Sequence, residues 1–217
     1  RRQRQMCIRD SPHAGPNRTY QIRSIYFDDF KNSALFEKQA GVAQRKKHRI
    51  RIYNYSDEYI KFERKTKVNQ HVHKDWTRIS REEAEKMITG DFSFLENTDN
   101  QLLRDVYIQS RCNLLRPVVT VDYLREAYVH PVGNVRITFD MAIHTNLGKL
   151  SLFERTAPTI AADQECGIIL EVKFDDVLPL HIRGLFPSTI RPQSANGKFA
   201  ICRELTNALT GCSVTKK

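Results

Sequence analysis

The stretch KKHRIRIYNYSDEYIKFERKTK (residues 46–67) contains two runs in which charged and apolar side chains alternate. At the two-residue period of a β-strand, the first run places isoleucines on one face and basic side chains on the other. The basic face carries Lys47, Arg49, Arg51 and, at its end, Tyr53. This run therefore predicts a strand with one apolar and one cationic face.

The second run repeats the pattern after a turn at residues 54–57. Its charged face holds Lys61, Glu63, Lys65 and Lys67. The two runs are predicted to pair as a hairpin. Because like charges on paired strands repel each other, a folded protein keeps such a hairpin only where another group needs it. We predict that a polyanion lies along the cationic face.

A third segment, GIILEVKF (residues 167–174), places a carboxylate and an ammonium group on one strand face. Glu171 and Lys173 are two residues apart, so they point to the same side of the strand. Arg and Lys neutralise phosphate oxygens, and a carboxylate anchors a divalent cation that the phosphates share. A face with several cations and one carboxylate therefore predicts a metal-bridged phosphate site.

The composition is typical of a soluble globular protein, with 40% hydrophobic and 28% charged residues. The formal net charge of +10 favours a polyanionic partner. The five cysteines are odd in number and lack C-x-x-C spacing, which disfavours a disulfide framework or a zinc site. We therefore expect the reducing cytoplasm as the compartment. No segment is long and apolar enough to span a bilayer.

Further strands and helices are predicted along the chain without a dividing linker, so residues 1–217 are taken as one domain. Strands are predicted at residues 20–28, 117–129, 134–143 and 167–174, and helices at 32–41, 80–89, 99–115, 180–185 and 198–209. Residues 1–18 are predicted to be the end of a helix followed by a loop. The helix at 80–89 has the clearest start, because Ser80 and Glu83 form a capping-box pattern.

Most of these strands have one apolar and one charged face, and the amphipathic helices need an apolar surface to cover. A sheet that curls with its charged faces inward and its helices outside satisfies both requirements. This arrangement is a wide barrel with a wet, cationic bore. Because buried like charges are costly without counter-ions, we expect water and an anion to fill the bore.

Seven segments, in this order, resemble the VTC domain, the polyphosphate polymerase branch of the triphosphate tunnel metalloenzyme (CYTH-like) superfamily. They are IRSIYFDD (22–29), HRIRIYN (48–54), IKFERKTK (60–67), RPVVTVDYLREAY (116–128), VRITFD (135–140), ILEVKFD (169–175) and NGKFAI (196–201). The resemblance implies an α+β fold, in which about eight antiparallel strands form a tunnel with helices packed outside.

Members of that family open with an E-x-K strand and a helix before the segment that corresponds to IRSIYFD. The chain begins with RRQRQ (1–5), which resembles the end of that helix. We therefore expect residues 1–217 to form an N-terminally truncated tunnel domain whose first strand is missing.

The resemblance and the charged strand faces together assign candidate site residues. The residues expected to grip phosphate and act in catalysis are Arg49, Arg51, Lys65, Arg125, Arg136 and Lys173. Further substrate contacts are expected from Lys47, Lys67, Lys198 and Tyr26. A divalent cofactor, Mn²⁺ or Mg²⁺, is expected on Glu171 and Glu63, although Glu63 fits charge compensation equally well.

The expected function is metal-dependent phosphoryl transfer from ATP to a growing inorganic polyphosphate chain. Two alternatives stay open: a tunnel triphosphatase that hydrolyses inorganic or nucleoside triphosphate, and a non-catalytic module that binds polyphosphate or nucleic acid. The predicted bore has few carboxylates and many cations, which favours a long polyanion. Nucleic acid is the less favoured partner, because Tyr26, Tyr53 and Tyr123 do not cluster in the sequence.

Several other polar and aromatic residues are given structural roles. Asp28 and Asp29 are expected in a turn, and Asp140 is expected to pair with a tunnel arginine. His71 and His73 are expected in a basic loop, either solvated or facing phosphate at the tunnel mouth. Trp76 is expected to anchor that loop by packing beneath it.

Overall fold

Antiparallel strands form the framework of the computed structural model, which describes residues 8–9, 19–162, 167–186 and 197–211. The strands are β1 (Ile8–Arg9), β2 (Thr19–Asp28), β3 (Gln44–Tyr53), β4 (Ile60–Val68), β5 (His71–Ile79), β6 (Arg116–His130), β7 (Val135–Asn146), β8 (Thr159–Ala161) and β9 (Ile168–Lys173). The helices are α1 (Ser33–Gln39), α2 (Arg81–Thr89), α3 (Gln101–Asn113), α4 (Leu180–Arg183) and α5 (Lys198–Leu209). The predicted α+β class is confirmed.

The strands of the described residues belong to one sheet with the order β5-β4-β3-β2-β6-β7. Strands β8 and β9 both pair with β7, and β1 pairs with β6. The hairpin predicted at residues 46–67 is the β3–β4 pair, in which Arg49 lies opposite Glu63 and Lys47 lies opposite Lys65. The predicted β6–β7 hairpin also forms.

The sheet curls into a tunnel that stays open along one side. Among the described residues no strand bridges β5 and β9, yet side chains from both strands line one cavity. Their charges also interact, because burial and the Lys173 ammonium on β9 together lower the pKa of Lys74 on β5. The predicted tunnel is confirmed, with a sheet that is not closed.

The outer face of the sheet carries one large apolar core. Ile25, Ile50 and Phe62 are fully buried on this face. They form a single cluster with residues of α2 and α3, including Met87 and Val106. These two helices therefore cover the outside of the tunnel, as predicted from their amphipathic patterns.

A second core lies over the inner face of β2 and β6. Phe199 on α5 packs against Tyr26 on β2, with ring centroids 5.0 Å apart. Val119 and Val121 on β6 belong to the same buried cluster. Because these apolar residues interrupt the charged inner face, α5 packs there and covers part of the bore.

The helix starts show the local signals that the sequence predicts. The Ser80 hydroxyl accepts a hydrogen bond from the Glu83 amide, and the Glu83 carboxylate accepts one from the Ser80 amide, which completes the capping box of α2. Asp28 has its predicted turn role, since its carboxylate accepts a hydrogen bond from the Ala34 amide at the start of α1. No helix of the described ranges has the length and apolar content to cross a membrane.

Two expectations about local structure were wrong. Ile8–Arg9 is a short strand on β6 rather than part of a helix; residues 1–7 and 10–18 lie outside the described residues. His71–Ile79 is the strand β5 rather than a loop, and Trp76 is 56% exposed rather than packed beneath it. The β5 sequence lacks an apolar face, so its strand conformation comes from pairing with β4.

Candidate functional site

The curled sheet encloses a cavity of about 460 Å³. Each surrounding strand presents alternate side chains to the bore, so residues that are distant in sequence meet there. All twelve residues predicted for the site line the cavity: Tyr26, Lys47, Arg49, Arg51, Glu63, Lys65, Lys67, Arg125, Arg136, Glu171, Lys173 and Lys198. The structure brings the predicted set together, and the role of each residue stays a prediction.

The cavity wall has a large positive excess. Among the described residues, thirteen Lys and Arg side chains line it, against three of Asp and Glu. Within the described part of the chain, Lys47, Arg51 and Lys65 have no carboxylate at ion-pair distance. Arg51 is only 9% exposed. Because buried cations without counter-ions are costly, this wall favours an external anion.

Arg49 is held in one orientation by two neighbouring strands. Its Nε and Nη2 donate to the Glu63 carboxylate on β4 at 2.6 and 2.5 Å, and its Nη1 donates to the Tyr26 hydroxyl on β2 at 2.9 Å. Burial alone would raise the pKa of Glu63, but the Arg49 and Arg51 guanidinium groups hold it below its ordinary value. The Glu63 carboxylate is therefore ionised and engaged with Arg49.

Asp140 positions two cations at the opposite wall. Its carboxylate accepts from Arg125 Nε at 2.6 Å and from Arg125 Nη2 at 2.8 Å, a bidentate pair across β6 and β7. It also accepts from the Lys198 ammonium in the first turn of α5. The predicted pairing of Asp140 with a tunnel arginine is confirmed. Asp140 is fully buried, so its negative charge serves these two partners.

Burial, assisted by neighbouring cations, weakens proton binding at Lys47 and Lys65. Burial, assisted by the cations of Lys38 and Arg45, lowers the pKa of Lys47 to about 8. The Lys47 ammonium also lies 4.6 Å from the centroid of the Phe199 ring. An incoming phosphate would raise these pKa values again, because a nearby negative charge favours the protonated ammonium.

Glu171 provides a carboxylate on the β9 side of the bore. Burial alone would raise its pKa, but Lys173, whose Nζ lies 3.1 Å from Glu171 Oε1, holds it below the ordinary value. Thr138 lies directly opposite Glu171 on β7. The Thr138 hydroxyl is buried and has no hydrogen-bond partner among the residues that the structure describes.

Sequence reasoning gave no role to Thr138, the cross-strand partner of Glu171. The signal that could have found it is the alternation of Arg136, Thr138 and Asp140, which places all three on the bore face of β7. A threonine hydroxyl carries no charge and is common in strands, so the pattern alone gave it no weight.

The oxygen atoms of Glu171 and Thr138 fit a hard divalent cation. Carboxylate and hydroxyl oxygens are suitable ligands for Mg²⁺ and Mn²⁺. The described ranges contain no group of three or more His, Cys, Asp or Glu residues that could hold a metal alone. An ion bound at Glu171 would therefore complete its coordination with phosphate oxygens and water, as Mg²⁺ commonly does.

Strand β5 contributes residues that the sequence analysis did not assign to the site. Lys74 and Trp76 both line the cavity. His71 and His73 lie exposed on the same strand, and His73 Nε2 is 2.8 Å from Asp75 Oδ1. The histidines therefore lie on a strand edge rather than in the expected loop.

A curled antiparallel sheet around a cation-lined bore is the architecture of the triphosphate tunnel proteins, a class that binds triphosphates and generally uses divalent metals. The family model described as the VTC domain matches residues 2–207, and the chain belongs to this family. The predicted resemblance is thus confirmed.

Similarity of the chain to solved structures and to curated proteins is limited. A solved structure of a candidate adenylate cyclase from Bacillus halodurans is 12% identical, with a TM-score of 0.45; the match covers 94% of this chain and 82% of that chain. No curated protein matches the chain.

Proposed function

We propose that the protein transfers the γ-phosphoryl group of ATP to the end of an inorganic polyphosphate chain inside the tunnel. The observation that carries this proposal is the convergence of Lys47, Arg51 and Lys65, which lack carboxylate partners within the described residues, on one cavity. Membership of the VTC domain family supports it.

The tunnel residues would act by positioning phosphates and neutralising their charge. In the transfer step, a terminal oxygen of the acceptor chain attacks the γ-phosphorus, and the bond from this phosphorus to the β–γ bridging oxygen breaks to release ADP. Charge spreads over the phosphoryl oxygens during such a transfer. Arg51 and Lys65 would stabilise that charge on one wall, and Arg125 and Arg136 on the other.

We place the divalent ion, Mn²⁺ or Mg²⁺, on Glu171 with the Thr138 hydroxyl beside it. When bound, such an ion would offset negative charge on the phosphates. Glu63, which is already engaged with Arg49, compensates charge and orients the guanidinium rather than holding the ion.

The cavity carboxylates are engaged with basic side chains, and this favours a phosphate chain over water as the acceptor. A hydrolase needs a group that orients or deprotonates water. Among the described residues, Glu63, Asp75 and Glu171 are the carboxylates that line the cavity, and each lies within ion-pair distance of a basic side chain. The open, cationic bore also offers a path for a long polyanion to leave.

The test is to incubate the full-length protein with ATP and Mn²⁺ or Mg²⁺ and to analyse the products by gel electrophoresis. Long-chain polyphosphate with stoichiometric ADP supports the proposal. Free phosphate without polymer would instead identify a triphosphatase. Binding of ATP and polyphosphate without any turnover would identify a binding module.

A further inference from the structure

Trp76 is an exposed aromatic residue beside the phosphate cations, and the proposed transfer does not use it. It lies on β5, an end strand of the sheet, and 56% of its surface is exposed. Its side chain lines the same cavity as Arg49 and Lys65. Tryptophan is buried to a large extent in most proteins, so an exposed indole on this cavity wall is available to contact a ligand.

The surroundings of Trp76 form an aromatic platform. The Tyr59 ring meets the Trp76 ring edge to face, with centroids 6.4 Å apart. The Lys61 ammonium lies 4.8 Å from the centroid of each of these rings. Both contacts orient the rings, because the Lys61 ammonium is attracted electrostatically to their π faces. The result is a preorganised surface at the open side of the tunnel.

Trp76 lies at a suitable distance from the phosphate-binding residues. It is the cross-strand partner of Glu63, which is in turn the partner of Arg49. Two strand spacings, about 10 Å, therefore separate the backbones of Trp76 and Arg49. A nucleotide with its phosphates among the tunnel cations has a sugar to cross this gap, whereas inorganic triphosphate has no group for the platform.

We propose that Trp76, supported by Tyr59 and Lys61, is the stacking site for the base of a nucleoside triphosphate. This inference rests on the proposed function, because it requires the phosphates to lie in the tunnel. Every nucleobase has a π face, so stacking on Trp76 selects nucleotides over inorganic triphosphate without selecting strongly among bases. The site thus defines the donor as a nucleoside triphosphate.

The chain contains a single tryptophan, which makes its fluorescence a direct probe of the site. The chain is titrated with a non-hydrolysable ATP analogue and, separately, with inorganic tripolyphosphate, with excitation outside the absorption band of the nucleotide. Calorimetry establishes that each ligand is bound. We expect the ATP analogue to quench the fluorescence strongly and tripolyphosphate to leave it nearly unchanged.

Variants at Trp76 provide a second, independent measurement. Trp76→Ala should weaken binding of the ATP analogue by about tenfold or more, the effect expected when one stacking partner is lost. Binding of tripolyphosphate should not change. Trp76→Phe is the matched control, because it keeps an aromatic face and should retain most of the affinity for the nucleotide.

Two results would overturn the inference alone: equal fluorescence changes with both bound ligands, or equal affinity of Trp76→Ala and the parent chain for the ATP analogue. A third result would overturn the proposed function as well as the inference. If neither the nucleotide nor tripolyphosphate binds, the tunnel function itself fails, and the stacking site fails with it.

Discussion

At the β9 wall of the bore, the Glu171 carboxylate stays ionised beside Lys173. Its cross-strand partner is Thr138, whose hydroxyl has no hydrogen-bond partner within the described structure. We expect Glu171→Gln to abolish metal-dependent turnover, because an amide cannot supply the negative charge that a divalent ion requires. Unfolding temperature should change little, since Glu171 is part-exposed. Polyphosphate synthesis across a Mn²⁺ titration measures the effect. Glu85→Gln, on the exposed face of α2, is the control, and normal turnover in Glu171→Gln would remove Glu171 from its role.

The lowered pKa of Lys47, about 8, makes anion binding depend on pH. Because Lys47 loses its proton as pH rises from 7 to 9, we expect tripolyphosphate to bind more weakly at pH 9. Binding near pH 8 should take up protons, since the bound anion restores the charged form. Calorimetry in buffers of different ionisation enthalpy measures this uptake.

Two arginine variants on β3 test whether Lys47 is the group that takes up the proton. Lys47→Arg should reduce the proton uptake, because arginine stays charged throughout this range. Lys46→Arg, on the outward side of the same strand, should leave it unchanged. In the ligand-free protein, the lowered pKa of Lys47 makes folding stability increase with pH, whereas anion binding weakens with pH. The folded pKa is below the unfolded value of 10.5, so this group favours folding more as pH rises from about 8 to 10.5. Equal proton uptake on tripolyphosphate binding by Lys47→Arg and Lys46→Arg would refute the assignment of the uptake to Lys47.

Among the elements, α2 depends on its capping box. Ser80→Ala removes the hydroxyl that accepts from the Glu83 amide. We expect this change to lower the free energy of unfolding by about 1 kcal/mol, measured by urea denaturation. Ser80→Asp keeps an acceptor at the same position and should restore most of the loss. Equal stability of Ser80→Ala and the parent chain would show that the cap contributes nothing.

The same helix provides a test of the outer core. Met87 is fully buried in the cluster between the sheet, α2 and α3. Met87→Ala should therefore cost about 2–5 kcal/mol of unfolding free energy, while exposed Ile108→Ala on α3 should cost less than about 1 kcal/mol. Because this core lies on the far face of the sheet from the bore, the folded fraction of Met87→Ala should bind tripolyphosphate with unchanged affinity.

For the whole molecule, the tunnel cations repel one another until an anion enters. We expect tripolyphosphate at 100 times its dissociation constant to stabilise the fold by about 2.7 kcal/mol, the value given by mass action for one site. Thermal unfolding with and without the ligand measures this shift. Sulfate at the same ionic strength should stabilise much less, because it cannot contact both walls. A sulfate effect of equal size would indicate general screening instead of a defined site.

Alternation in the sequence was sufficient to predict the β3–β4 hairpin and the inner faces of β6, β7 and β9. Together with the family resemblance, it predicted twelve of the residues that line the cavity. It failed at β5, where charged and polar residues occupy both faces and the strand forms only because β4 offers a hydrogen-bonding edge. It also failed at Thr138, whose neutral hydroxyl becomes informative only when its buried surroundings leave it without a partner in the described structure.

The sequence by itself determined which side of each strand is cationic, because side chains on a strand alternate whatever lies next to it. It predicted that Asp140 pairs with a tunnel arginine, but it could not determine which cation each carboxylate contacts. The pairing of Arg49 with Glu63, the pairing of Arg125 with Asp140, and the lack of such a partner for Arg51 among the described residues depend on strand register and on the curl of the sheet. Tertiary structure alone decided these neighbours, because ion pairs act over a few ångströms between segments that are far apart in the chain.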